Sequence, residues 1–205
     1  MITVDTLIAG GIDGAKAQEL CDALVQTCQD FDISTTLRQA AFVAQCYIES
    51  MGFEHTEELL SYSTPGVIMA CFPSTVKSLT VAKTLVHNPT AFANFVYAGK
   101  NGNDPDPEVG DGYRFRGRSY IMITGKTNYA NASQDCGLPF LDDPDLAATL
   151  PGALQAAASY WKRNGCSDLA DKRNWDGITR RINGPKMLKK EERTDATLKF
   201  IRAFT

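Results

Sequence analysis

Histidine is almost missing from this chain of 205 residues: His55 and His87 are the only two, they lie far apart, and neither has an ExxH or HxxxH partner. That excludes the usual ligand sets of zinc peptidases and amidases, and no metal or cofactor is expected. No CxxC pair occurs among the six cysteines, Cys21, Cys28, Cys46, Cys71, Cys136 and Cys166. Most sit in apolar neighbourhoods, where a thiol behaves as a small hydrophobe, so they are read as reduced; a disulfide framework is the competing reading for an oxidising compartment. Long apolar runs are missing too. Asp5, Gly10, Gly11 and Asp13 interrupt residues 1–14, and no later stretch is long enough to span a bilayer, so neither a signal segment nor a membrane anchor is expected. There is no excess of positive charge: 21 Lys and Arg against 24 Asp and Glu leave a net charge of −3, which gives no global field to attract nucleic acid.

What is present suffices for a packed core. The chain is 43% hydrophobic, enough for one domain over residues 1–205 with a larger helical lobe and a smaller one at approximately 65–112. Leu20, Leu24, Val25 and Cys28 recur at helical spacing within residues 16–31, and Ser34 and Thr35 offer an N-cap for a second helix running through Met51. The expected core stripe of that second helix is Leu37, Ala40, Ala41, Ala44, Tyr47, Ile48 and Met51, and Glu49 lies about 100° round the axis from Ile48, at the lip of the core. Residues 65–96 read as short helices, and residues 99–112 as a loop too polar to be core. Residues 113–124 alternate aromatic or apolar with basic residues, a weak strand signal or an extended arm. Further helices are expected over 142–163, 175–182 and 191–204, making the chain mainly α. Tyr160, Trp161 and Trp175 are read as core rather than as carbohydrate platforms. Basic residues cluster at Arg114, Arg116 and Arg118, and again at Lys172, Arg173, Arg180, Arg181, Lys186, Lys189, Lys190 and Arg193; solvated faces are the default reading of such runs.

Two glutamates are candidates for chemistry. Glu49 and Glu58 are nine residues apart, which in one unbroken helix would set them on opposite faces, but Gly52 signals a break that lets Glu58 fold back across a groove. A protonated acid and a second carboxylate with a water between them, roughly 6.5–9.5 Å apart, are what an inverting glycosidase requires. Spacing alone is weak support, since a glutamate at a helix end is usually solvated.

Longer patterns are more specific. Residues 110–129, GDGYRFRGRSYIMITGKTNY, resemble the GxGxRYRGRGxIQLTGxxNY pattern of family 19 chitinases and, more closely, of the phage endolysins that share their fold. Residues 39–63, QAAFVAQCYIESMGFEHTEELLSYS, resemble AxFLAQxxHESxGFxxxxENLxYS of the same proteins, and WDGITRRINGP at 175–185 resembles their ITRRINGG. The three motifs stand in the family's order across residues 39–185.

The resemblance implies a lysozyme-like, mainly helical domain with two lobes flanking a cleft. It implies Glu49 as general acid, Glu58 as the base that activates water, with Glu57 one position away as the alternative, and Thr124 as the hydroxyl that helps hold that water. Asn128 and Asn183 match asparagines lining the sugar cleft, and Tyr113, Arg116 and Tyr129 are expected to shape the same wall. An asparagine side chain offers one acceptor and two donors, which suits an N-acetyl group. Arg114, Arg116, Arg118, Arg180 and Arg181 are expected to raise the positive potential beside Glu58, and Tyr47, Ile48 and Phe53 to supply an apolar setting for Glu49. Two positions depart from the pattern: Ile48 replaces the family's histidine before the acid, and Met122 replaces its glutamine, which implies one altered subsite. Asn183 with Gly184 also reads as a plain helix C-cap, and Arg180 as an i,i+4 partner of Asp176.

The activity implied by the resemblance is that of an endolysin, which hydrolyses β-1,4 bonds in the glycan strands of bacterial peptidoglycan with inversion; a monomer is the expectation for an enzyme that must diffuse into a polymer mesh. A chitinase acting on chitin and a catalytically inactive glycan-binding protein are the alternatives. The expected setting is a host bacterial cytoplasm, with release to the periplasm by a separate pore-forming protein and no separate wall-binding module.

Overall fold

The computed structural model describes all 205 residues. Thr3 opens α1 (Val4–Gly10) by accepting from the Thr6 amide, and Asp13 opens α2 (Gly14–Asp30) by accepting from Ala15 and Lys16. These side chains satisfy amides that have no carbonyl one turn back. Along α2 the buried residues Ala17, Leu20, Cys21, Leu24 and Cys28 fall at intervals that keep one face against the core.

The next helix, α3 (Thr36–Glu49), begins at Thr35, whose hydroxyl accepts from the Arg38 amide. It departs from the expected single stripe. Every residue from Ala40 to Cys46 is buried, including Phe42, Val43 and Gln45, which lie off that stripe. A helix enclosed on all sides is central rather than superficial. Its neighbours include α9 (Gly152–Arg163), α10 (Cys166–Asp171), α11 (Trp175–Asn183) and α12 (Lys190–Phe204). It also ends before Met51, which is 58% exposed and not core. Met51, Gly52 and Phe53 all have left-handed φ values, 52°, 84° and 69°, which turn the chain sharply off the helix axis. Ser50 fixes this end: its buried hydroxyl donates to the Cys46 carbonyl at 2.6 Å and accepts from the Phe53 amide at 2.9 Å.

A second, smaller core follows. Leu60, Ile68, Val76, Ala82, Leu85, Phe92, Ala93 and Val96 form it, on α4 (Pro65–Cys71), α5 (Leu79–Leu85), α6 (Pro89–Tyr97), the segment between α4 and α5, and the chain just before α4. Proline stands first in α4 and α6, where its missing N–H costs nothing. Phe72 and Phe92 meet edge to face at 5.1 Å, and Tyr62 lies 4.6 Å from Phe92.

The polar segment 99–112 is not wholly outside the core, contrary to its composition. Asn103 and Asp111 are buried and each is hydrogen-bonded. Asn103 donates to the Tyr97 carbonyl and accepts from the Lys126 amide, and Asp111 accepts from the Asp104 amide and from Lys126 Nζ. Gly112 lies so close to α6 that a Cβ there would stand 2.4 Å from the Ala93 carbonyl oxygen. The segment therefore ties α6 to α8 (Lys126–Cys136). Residues 113–124 form neither a strand nor an arm: a short helix, α7 (Asp111–Arg114), precedes a turn held by two isolated antiparallel bridges, Glu57 with Arg118 and Arg118 with Ile123.

The expected helix over 142–163 is interrupted. A 3₁₀ turn (Pro144–Ala148) stands apart from α9, because Pro151 disfavours helical backbone at the residue before it. Trp161 is fully buried on α9, with its ring edge to face on Phe42 at 5.5 Å and its indole N–H on Ser167 Oγ at 2.9 Å. No disulfide links the cysteines, and burial pushes the thiols of Cys28, Cys136 and Cys166 up to about 12. No helix is long and apolar enough to cross a membrane.

Ser50 offers a test of how the turn after α3 is held. Ser50→Ala leaves the buried Phe53 amide without its acceptor, which is expected to lower stability by about 1–3 kcal/mol in denaturant unfolding. An unchanged midpoint would show that the turn after Glu49 holds without that hydroxyl.

Candidate active site

The two glutamates border different cores. Glu49 is the last residue of α3 in the larger one, whereas Glu58 lies two residues before Leu60 of the smaller one. The left-handed turn at 51–53 separates them, as the break expected at Gly52 requires.

The bridges decide how Glu57 and Glu58 differ. Side chains alternate between the two faces of an extended chain, and residues directly opposite one another share a face. Glu57 is paired with Arg118, and Arg118 with Ile123. Continuing both pairings by one residue sets Gly117 opposite Glu58 on one side and opposite Thr124 on the other. Glu57 and Glu58 consequently face opposite ways. Glu57 Oε1 accepts from Arg116 Nη2 at 2.9 Å and Arg118 Nε at 3.0 Å. Arg118 is 2% exposed and also binds Asp145, the Arg114 carbonyl and the Tyr129 hydroxyl, so Glu57 is consumed by a structural network.

Glu58 meets neutral donors instead. Its backbone amide donates to the Gly117 carbonyl at 3.0 Å. A regular ladder would return the Gly117 amide to the Glu58 carbonyl, yet that amide donates to Glu58 Oε1 at 2.5 Å. Tyr97 at the end of α6 donates its hydroxyl to Glu58 Oε2 at 2.6 Å. Burial, then the charge of Glu58, raises the Tyr97 phenol well above its ordinary value, so it stays a donor. A Cβ at Gly117 would come within 3.1–3.2 Å of Glu58 Cδ, Cβ and Oε1, so the glycine leaves the space the carboxylate folds into.

Across that glycine stands Thr124. Its hydroxyl donates to the Met122 carbonyl at 3.0 Å, which leaves its oxygen as an acceptor. The Thr124 carbonyl accepts from Asn128 Nδ2 at 2.8 Å and from Asn101 Nδ2 at 3.3 Å. Asn101 and Asn128 line a cavity of about 430 Å³ that reaches Tyr160 on α9. Tyr160 in turn donates to the Arg181 carbonyl on α11, near Asn183. Asn183 and Glu49 line a second depression of about 200 Å³.

Glu49 is not in the apolar setting expected of it. Arg193 Nη2, on α12, donates to Glu49 Oε1 at 2.6 Å, while Arg193 Nη1 donates to buried Gln45 at 2.7 Å and Nε to the Leu188 carbonyl at 2.9 Å. The expected positive field is misplaced as well. Arg116 and Arg118 serve Glu57, Arg114 binds the carbonyls of Leu141 and Asp142, and Arg180 and Arg181 are exposed and form no ion pair. Nor does Arg180 pair with Asp176, which binds Lys190 at 2.7 Å.

Two expected wall residues stand behind the wall. Tyr129 is fully buried, its hydroxyl donating to the Arg116 carbonyl at 2.6 Å and accepting from Arg118, so it cannot touch a sugar. Arg116 is 14% exposed and engaged by Glu57, with its guanidinium 4.5 Å above the ring of Tyr113. Tyr113 packs on the smaller core, and its amide donates to Asn94. Asn183 stands at the helix end read from sequence: Gly184 caps α11 with φ 79°, Asn183 Oδ1 accepts from the Leu188 amide at 2.6 Å, and the residue lines the same depression as Glu49. Arg193, Tyr97 and Gly117 were not foreseen as site residues. Arg193 carries a readable signal, because it shares a helical face with Thr197, Phe200 and Phe204, all buried. Tyr97 carries none.

A helical fold with two cores, and two differently held glutamates in the chain that passes between them, supplies the pair of carboxylates that glycoside hydrolysis requires. No family model matches the chain. It is 38% identical over 148 residues to a glycosyl hydrolase family 19 domain-containing protein of Haemophilus influenzae, covering 72% of this chain and 71% of that one. Two endochitinases of Arabidopsis thaliana match 74 residues at 40% and 39% identity, about a quarter of their own length. The chain belongs to glycosyl hydrolase family 19, and it is a glycoside hydrolase.

Two substitutions test the geometry. Gly117→Ala is expected to leave the melting temperature within a few degrees and to lower glycan hydrolysis by about ten- to a hundredfold, because Glu58 must move off its donors. Glu57→Gln is expected to do the reverse: stability falls by about 1–2 kcal/mol, less than the ~3–5 of a fully buried pair, and turnover changes little. Turnover that collapses in Glu57→Gln without loss of stability would reverse the assignment of the two glutamates.

Proposed function

We propose that this enzyme hydrolyses β-1,4 bonds in the glycan strands of bacterial peptidoglycan, with Glu49 as acid, Glu58 as base and inversion at the sugar carbon. The observation that carries the mechanism is the hold on Glu58, whose two oxygens accept from the Gly117 amide and the Tyr97 hydroxyl; continuing the bridge of Arg118 with Ile123 by one residue extends this to a row Glu58, Gly117, Thr124. Both ends of that row accept hydrogen bonds. A water seated over Gly117 donates one hydrogen to Glu58 and the other to Thr124 Oγ1, which leaves a lone pair for the anomeric carbon. Each Glu58 oxygen already accepts one hydrogen bond and retains capacity for another. As the carbon–oxygen bond to the leaving sugar breaks, Glu49 delivers a proton to the leaving oxygen; Oε2 is the oxygen that Arg193 does not hold. Glu58 takes the proton from water. Asn128 and Asn183 offer amide groups to the sugars on either side.

On this reading the enzyme is an endolysin, released from the host cytoplasm by a separate pore-forming protein; the motifs of residues 39–63 and 110–129 support that role. Chitin is the second reading because the Arabidopsis relatives are endochitinases.

The test is mass spectrometry of fragments released from purified peptidoglycan, with borohydride reduction to mark new ends, run beside chitin oligosaccharides. New reducing muramic acid ends are expected, falling by about 10² to 10⁴ in Glu49→Gln. Release from chitin alone would transfer the assignment to a chitinase, and full activity of Glu49→Gln would remove the acid.

A further inference from the structure

The depression beside Glu49 is unlike a sugar platform. Ile48, Met51 and Leu188 line it with aliphatic surface, and Met51 and Leu188 are 58% and 59% exposed. No aromatic ring lines it, and Asn183 is its one neutral polar side chain. Two cations border it, but Arg193 is fully engaged by Gln45, Glu49 and the Leu188 carbonyl. Lys189 is different. It is exposed and forms no ion pair, whereas Lys190 beside it binds Asp176 at 2.7 Å. Met51 and Lys189 also hold left-handed backbone, with φ 52° and 56°, positions where glycine is easiest and a side chain costs conformational energy. The rim therefore presents exposed methyl and methylene groups next to an unpaired ammonium.

We infer that this depression is a specificity pocket for the peptide-bearing lactyl substituent of muramic acid. Small methyl groups of the lactyl and first alanyl units lie against Ile48, Met51 and Leu188, and a carboxylate further along the peptide meets Lys189. A chitin chain has hydroxyl groups at the same ring position and offers neither. Ile48, at the position where the family pattern has histidine, supplies apolar surface that an imidazole would not. The inference rests on the peptidoglycan reading above and names what that substrate's side group touches.

The experiment uses glycan strands in two forms, with their peptides intact and with the peptides removed by an amidase, plus a chitin hexamer. Wild type, Leu188→Ser and Lys189→Asn are compared; asparagine tolerates the left-handed backbone at 189, and melting curves monitor folding. Wild type is expected to cut the peptide-bearing strands faster than the stripped strands, which keep the lactyl methyl but not the peptide, by about fivefold or more, a difference that each variant reduces while its rate on the chitin hexamer stays unchanged. Equal wild-type rates on both forms, or variants that keep the preference, would overturn the pocket and leave the wall-glycosidase reading intact. Variants slowed equally on stripped strands and on the chitin hexamer would overturn it too, by showing that the pocket holds a bare sugar. Absence of new muramic acid ends from either form would sink the underlying reading itself.

Discussion

A guanidinium buried where two segments of chain cross holds the active region together. Arg118 reaches Glu57 before the smaller core, Asp145 in the 3₁₀ turn, the Arg114 carbonyl in α7 and the hydroxyl of Tyr129 in α8. Taking such a charge out of water costs several kcal/mol, so it is tolerated only where its donors are met in good geometry. That requirement fixes the register of residues 57–58 against 117–118. Once Glu57 is turned towards the arginines, the pleat turns Glu58 the other way, onto an amide and a phenol. The residue that does chemistry on our reading is thus oriented by its neighbour.

Glu49 is held by the same kind of device used directly. Arg193 is as buried as Arg118, and it joins α12 to α3 through Gln45 and Glu49. The two carboxylates assigned to acid and base therefore sit in contrasting surroundings, one beside a charged donor and the other beside neutral donors. The contrast runs opposite to what the arginine-rich motif leads one to expect. Arg116 and Arg118 are drawn to Glu57, which is close in sequence to Glu58 but faces away from it.

Much of the helical framework is legible from local pattern: α2 and α3 from their caps and spacing, and the C-terminal helices from periodicity. The limits of legibility have physical causes. Periodicity finds one apolar face, so it misses that α3 is buried all round, and it reads Met51 as core although a left-handed turn has already carried the chain away. Composition makes 99–112 a surface loop, since burial of Asn103 and Asp111 depends on partners at Tyr97 and Lys126 that no local window contains. The candidate glutamates and Thr124 are legible because their motifs are long. Arg193 is hidden in a run of basic residues, where its helical phase with Thr197 and Phe200 is the available clue. Tyr97 has no clue at all, because a phenol that binds a carboxylate 39 positions away is a purely tertiary fact.

The smaller lobe and Glu58 depend on the same contacts. Eight buried residues are a modest store of hydrophobic stabilisation, so the lobe's attachment must lean on polar links to the rest of the chain. Three of those links converge on α6: Tyr97 to Glu58, Asn103 between Tyr97 and Lys126, and the Tyr113 amide to Asn94. The hydrogen bond that fixes Glu58 is therefore one of the bonds that fixes the lobe, and any shift of the lobe relative to α8 moves Glu58 relative to Thr124 and Asn128. On the proposed mechanism, placement of the water and placement of the lobe are one constraint, and Tyr97, a residue outside every recognisable motif, carries it.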